Sequence, residues 1–428
     1  MFNWLVLLVI YLPFQIALNP IPGFDLASIR VFIILLFLIW LLRIWTSDVH
    51  RTSDVRNLQS IGLLSFLILS SASLIGTENV FWGFRKILFF LSIFPLYFLL
   101  VALVDNWLKI KKTILALVIS SGLITLIGLI QFFTQFIFGL DKVYDFWAVN
   151  ITPIFSGFSL GTMILAYPSW LVNISGLTIM RAFSFFSDPH MFSFYLGLTL
   201  PLIIVLLLNN SNKKLLLIIY PLLFIALLLT FARGAYLAII ITFLVLAGLI
   251  WKYLGNKKVP ILLFLSLLII IVPGTPFSGR FYASFDLDEG SNIGRLEMWQ
   301  QASQTGLDNF WQGVGLGNYS LIIDSDLDYR NPVTAHNLYL DFFSEMGIFT
   351  LTIWLILILG TIGQLFEKLI NLNNIEEKYI LVGLIGSLVY FSVHSCFETA
   401  IYNPSVLALL MIVLGLSTVV LKVAKERP

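Results

Sequence analysis

Pro273 to Gly347, running through Thr334-Ala335-His336-Asn337-Leu338-Tyr339 near its end, is a long polar stretch in a chain that is elsewhere apolar enough to live in lipid. With 59% hydrophobic residues, 11% charged residues and a mean hydropathy of +0.96, the 428-residue chain lies outside the range of soluble globular domains. It reads as an integral membrane protein. A run of about twenty apolar residues crosses the hydrocarbon core as a helix, and such runs recur along the chain. The fold class that follows is all-α: a polytopic transmembrane helical bundle with a large extracytoplasmic loop region carrying short amphipathic helices.

Outward from the polar stretch, candidate spans fall near 3–18, 27–45, 60–76, 86–104, 113–138, 189–208, 215–231, 235–251, 259–273, 347–366, 378–397 and 404–422, about twelve in all. They form one integral membrane domain over 1–428, with extracytoplasmic loops at 139–188 and 274–346. Lys and Arg are retained on the cytoplasmic side, and placing both termini there puts most of the 25 basic residues inside and most of the 23 acidic residues outside. No Lys or Arg precedes Arg30, so Met1 to Leu18 reads as a retained span. A net charge of +2 gives no sign of nucleic acid, and the single Cys396 excludes an intrachain disulfide and reads as a packing residue.

Arg233 lies between the apolar runs Leu215–Thr230 and Ala235–Ile250. An arginine near hydrocarbon costs about 2.5–3.5 kcal/mol at mid-membrane, so it either snorkels to the interface or holds a partner or ligand. Arg295, in Gly294-Arg295-Leu296-Glu297-Met298-Trp299, sits on an expected surface helix and is either a solvated residue or part of a site. His336 follows Thr334, read as the N-cap, and would occupy a first helical turn. There the positive helix end disfavours the protonated imidazole and keeps it available as a base. The alternative is a histidine satisfied at the membrane interface.

Asn337, Asp341 and Glu345 recur every four residues and form one polar stripe. Gly313, Gly315 and Gly317 read as tight-turn glycines, not a phosphate loop. The run Asp324-Ser325-Asp326-Leu327-Asp328 lacks the glycine and distal Glu of a calcium loop and reads as solvated. Arg181 and His190 lie just outside the sixth span, where they could line the same outer cavity. His394 reads as a packed polar residue and His50 as a loop residue.

Thr230-Phe231-Ala232-Arg233-Gly234-Ala235, Gly294 to Trp299, Gly313-Val314-Gly315-Leu316-Gly317-Asn318-Tyr319 and His336-Asn337-Leu338-Tyr339-Leu340 with Glu345-Met346-Gly347 resemble the O-antigen ligase and Wzy polymerase superfamily. The motifs span about Leu215 to Phe366, and the sequence departs from the pattern at Phe310-Trp311 after Asn309 and at His190 after Asp188-Pro189. The resemblance implies a bacterial inner-membrane glycosyltransferase with its active site facing the periplasm or exterior and both termini cytoplasmic. It would move glycan from undecaprenyl pyrophosphate to an acceptor sugar hydroxyl, without a metal or other cofactor and with inversion. It also implies catalytic roles for His336, Arg233 and Arg295; Arg181, His190, Arg280, Asn337, Tyr339 and Glu345 are the expected substrate-binding set. Implied partners are the lipid-linked oligosaccharide, an acceptor glycan or lipid, membrane lipids and a chain-length regulator, with no nucleic acid.

Independently of the family, guanidinium forks remain protonated, bind phosphate bidentately and can neutralise a pyrophosphate leaving group in place of a metal. A polysaccharide polymerase is the leading expectation, and a ligase delivering finished glycan to lipid A core or another acceptor is the alternative. A transporter of lipid-linked sugar or a small anion is the competing class, disfavoured because the spans hold almost no ionisable residues. A peptidoglycan polymerase, which would rest on an outer-loop carboxylate, is the weakest alternative.

Overall fold

The computed structural model describes residues 1–21, 24–46, 57–166, 169–174, 176–208, 213–286, 290–327 and 333–424; His50 and Asp328 lie outside the described residues. Helices α1 (Phe2–Tyr11), α2 (Ser28–Thr46), α3 (Leu58–Ala72), α4 (Val80–Ile93), α5 (Pro95–Leu103) and α6 (Trp107–Phe138) form the first part of the bundle. Three short helices follow: α7 (Leu140–Phe146), α8 (Thr152–Ser156) and α9 (Phe158–Ala166). The bundle resumes with α10 (Pro189–Leu208), α11 (Lys213–Leu229), α12 (Arg233–Leu254) and α13 (Lys258–Ile271). A second insertion carries α14 (Pro276–Tyr282), α15 (Gly290–Asp308) and α16 (Tyr319–Ile323), and α17 (Leu338–Asn371), α18 (Ile375–His394) and α19 (Pro404–Val423) complete the order.

The protein is a multi-pass membrane protein, but the expected twelve spans are not met on length and composition. Among the described residues seven helical segments are long and apolar enough to cross a membrane, or eight if the α13–α14 pair, bent by 77°, counts as one. All twelve apolar stretches are helical. Phe2–Phe14, Leu58–Ala72 and Lys214–Leu229, however, fall short of the roughly twenty residues a perpendicular span needs. The α18 helix has the length but opens on Glu376 and Glu377.

The all-α expectation holds: among the described residues there is no closed sheet, and the strands form two short antiparallel hairpins, β1 (Ala17–Ile21) with β2 (Phe24–Ala27), and β3 (Leu171–Ile174) with β4 (Leu177–Met180). Strands of four or five residues are too short to show a period of two against an apolar background. Both hairpins connect elements and leave the helical bundle intact.

Close helix contact is made with small residues. Gly383 and Gly386 of α18 face Pro201 and Val205 of α10 and Leu246 of α12, and the Tyr390 ring fills the space a side chain at Gly197 would need. The α17 helix breaks at Gly347, and the chain around the Gly313–Gly317 turn packs on the break. Val314 N donates to Ser344 O (2.9 Å), Gly315 N to Glu345 O (2.8 Å) and Ile348 N to Phe310 O (2.9 Å). All three glycines of that turn have left-handed φ values, as a tight turn requires.

Loop ends meet at one end of the bundle. Ala182 N donates to Leu229 O and Leu338 N to Ser395 O, both at 2.9 Å. Two buried glutamines of α6 reach the same end. Gln131 accepts from Phe183 N and donates to Arg181 O, while Gln135 accepts from Met180 N and donates to Met180 O. In a dry bundle these side chains satisfy backbone groups that no helix can pair, which fixes the position of Arg181.

Candidate active site

The helix that begins beside His336 starts later than its sequence suggests. Asn337 is the N-cap of α17, its Oδ1 accepting from Tyr339 N (3.1 Å) and Leu340 N (3.3 Å), whereas Thr334 Oγ1 lies 3.4 Å from His336 N. His336 therefore precedes the helix, at a left-handed φ of 48°. Asp341 anchors the turn by accepting from Ala335 N at 2.8 Å.

This backbone aims the imidazole at a carboxylate. His336 Nδ1 lies 2.8 Å from Oε1 of Glu398, in the connection between α18 and α19. The carboxylate side chain is 9% exposed and the imidazole 42% exposed, so the pair has a buried acid and an open base. The Glu398 charge raises the imidazole above its ordinary 6.5, outweighing burial and Arg295. The sign is the reverse of the one expected from a helix N-terminus, because a contact ion pair outweighs a partial charge one turn away. Burial pushes the Glu398 carboxyl up, but His336, His190 and Arg295 together hold it well below the usual range. With Nδ1 donating to Glu398, Nε2 is the position left to take a proton.

Arginines converge on the dyad. Arg295 of α15 donates through one terminal nitrogen to Phe397 O at 3.0 Å, beside Glu398. Arg233 opens α12 after a left-handed Phe231, and donates to Ala283 O (3.1 Å) and Ser291 Oγ (2.6 Å). It thereby ties α12 to the start of the helix that carries Arg295. Arg181 is buried and donates from Nε to Thr230 O at 2.6 Å, while a terminal nitrogen sits 3.4 Å from His190 Nε2. A guanidinium cannot accept, so His190 Nε2 accepts and Nδ1 carries the proton, 3.8 Å from Glu398 Oε2. Burial and then the Arg280 charge push Arg181 down to about 10, still protonated at neutral pH. Asp188 caps α10 through His190 N (2.8 Å) and Met191 N (3.1 Å), with its carboxyl pushed up by burial and then by Glu398.

Arg233, Arg295, Arg181, Arg280, His190 and His336 thus gather at one end of the bundle. The other expected residues are held by the protein itself. Asn337 caps α17, and Tyr339 donates to Ser392 O at 2.8 Å. Glu345 is buried in an ion pair with Lys86 (3.0 Å), with Tyr402 OH 3.4 Å away. His394 is fully buried and stacked on Phe194, as a packed residue. Glu398 is the residue missed from sequence: it stands alone after Cys396-Phe397, and its only signal is a carboxylate just past the outer end of an apolar run. Among the described residues no three His, Cys, Asp or Glu side chains gather as metal ligands would.

Residues 215–355 match a family model, Wzy_C, described as O-antigen ligase. Over these residues the chain is similar to the O-antigen ligase and Wzy superfamily. No curated protein matches the chain. The Wzy_C match runs from α11 into α17 and holds Arg233, Arg280, Arg295 and His336, whereas Arg181, His190 and Glu398 lie outside it. Members of the superfamily are membrane glycosyl-transferring enzymes, so an O-antigen ligase or polymerase type of activity is what the match supports.

Proposed function

We propose that the protein transfers glycan from a polyprenyl pyrophosphate, undecaprenyl in a bacterial inner membrane, to a sugar hydroxyl on the extracytoplasmic face, as a polysaccharide polymerase. The observation that carries this reading is the His336–Glu398 dyad set beside converging guanidinium groups. Arg233 and Arg295, supported by Arg181 and Arg280, bind the pyrophosphate and stabilise the charge it gains on leaving. His336 Nε2 removes the proton of the acceptor hydroxyl as its oxygen bonds to the anomeric carbon and the bond from that carbon to the pyrophosphate breaks. Glu398 fixes the imidazole by Nδ1 and stabilises the imidazolium that forms. The displacement is direct and inverts the anomeric centre.

In this reading twelve helical passes cross the membrane, the shorter ones with help from their flanking residues, and both termini are cytoplasmic. Incubation of the purified protein with a single lipid-linked repeat unit tests it. A ladder of products is the expected outcome; transfer only after lipid A core or another acceptor is added would assign the protein to the ligase branch. No transfer to any acceptor, with counterflow of a labelled solute in proteoliposomes, would place it among transporters.

A further inference from the structure

Behind the strap that carries Glu398 lies a cavity of about 450 Å³, lined by both polar and apolar groups, that the donor chemistry does not use. Its volume falls in the range of about 300–1,000 Å³ typical of ligand sites. The strap separates two environments: the Phe397 carbonyl is taken by Arg295, while Thr399, Tyr402 and Asn403 line the cavity. On the α10 side Ser187 and Asp188 line it, one residue short of His190. Gln15, just before β1, Asp25 of β2 and Arg30 of α2 complete this polar lining.

Three features of this cavity suit a sugar. Gln15 Oε1 is buried with no hydrogen-bond partner, an acceptor left for a ligand donor. The Asp25 carboxylate is pressed against Gly157, where a Cβ would lie 2.2 Å from its Cγ and where φ is +99°, so the backbone there is shaped to admit it. Among the described residues no hydrogen bond or ion pair engages that carboxylate. Aromatic rings of Phe89, Phe155 and Tyr402 form part of the wall, and Phe155 is held by stacking on Phe185 at 3.8 Å. Carboxylate and amide acceptors beside aromatic faces match the two surfaces of a pyranose, its hydroxyl rim and its C–H face.

We infer that this cavity is a subsite for a distal sugar of the acceptor glycan, set on the other side of the Glu398 strap from Arg295. The inference rests on the glycosyl-transfer reading above. An in-line displacement brings the nucleophile opposite the leaving group, so a glycan that delivers its hydroxyl to His336 approaches from the side away from the pyrophosphate. His336 is not part of the cavity wall, which is why the sugar held here is set back from the reacting one. Asp25 accepts hydroxyl donors of the sugar, and Arg30 in the same wall supplies a donor for its oxygens.

The test uses full-length protein in nanodiscs, with the oligosaccharide released by mild acid from the lipid-linked repeat unit as probe. Its binding to the His336→Ala protein is titrated with and without Asp25→Leu, and with Ser156→Trp, which fills the cavity from its wall and leaves Asp25 in place. Either change is expected to weaken oligosaccharide binding at least about tenfold, the worth of a hydrogen bond to a charged group. Binding of undecaprenyl pyrophosphate is expected to stay unchanged. In the otherwise wild-type protein the same changes raise the KM for acceptor and spare the KM for donor. Unchanged oligosaccharide binding in both variants, in a protein whose wild type transfers glycan, overturns the subsite and leaves the enzyme reading standing. A wild type that neither transfers glycan nor binds the oligosaccharide overturns both.

Discussion

The described residues hold three non-glycine residues in left-handed backbone, Ser184, Phe231 and His336, and the latter two belong to the turns that present Arg233 and the candidate base. Such a conformation costs about 1–3 kcal/mol and persists where the surroundings over-determine it, here through Asp341, Asn337 and the Leu338–Ser395 bond. What the strain provides is the 2.8 Å approach of His336 to Glu398. Because Glu398 raises the imidazole above 6.5 and the base must be neutral to act, kcat/KM is expected to rise with pH through a midpoint above 6.5. Glu398→Gln removes the stabilising charge, so that midpoint should move to lower pH, driven down by burial and Arg295, while the plateau falls on the order of 10²-fold. A pH–rate profile of the variant that keeps the wild-type midpoint would remove Glu398 from the mechanism. His336→Ala should lose about 10²- to 10⁴-fold in transfer while inserting normally into the membrane. His336 is legible in the sequence by its motif. Its proton affinity is not, because that is set by a carboxylate 62 positions away, and such a pairing leaves no periodic trace.

At the scale of elements, the arginines are placed by where helices begin and end. Arg233 can grip both Ala283 and Ser291 because the α11–α12 turn is only a few residues long and α12 starts on the arginine itself. The two apolar runs announce that turn plainly, and Arg233 is therefore the site residue most readable from sequence. Arg181 is harder to read. Its position depends on the β3–β4 hairpin and on Gln131 and Gln135 reaching across from α6, contacts between segments about fifty residues apart that look in sequence like polar flaws in an apolar span. Arg233→Lys preserves the charge but loses the fork that reaches two partners at once. It is expected to reduce transfer by about 10- to 100-fold, with the loss in donor KM as well as kcat. Transfer at the wild-type rate with unchanged donor KM would show that Arg233 holds α15 and nothing else.

For the whole molecule, helix direction makes the candidate site one-sided. Ser405 Oγ donates to Leu12 O, so the end of α1 meets the start of α19, and α19 runs from there away from the end that holds His336 and Glu398. Lys368 and Lys422 share the far end of the bundle, and Lys368 donates to Ala424 O at 3.0 Å. The number of passes was less legible, because an apolar run announces a helix but not whether it is long enough to cross, or bends as α13 does into α14. The one-sidedness has a direct consequence. With Lys and Arg held inside, alkaline phosphatase inserted in the exposed acidic turn at Asp326 should be active, and green fluorescent protein fused after Ala424 should fluoresce. The reverse pattern would turn the dyad towards the cytoplasm, where a lipid-linked glycan already flipped outward could not reach it, and the transferase reading would then need a cytoplasmic donor.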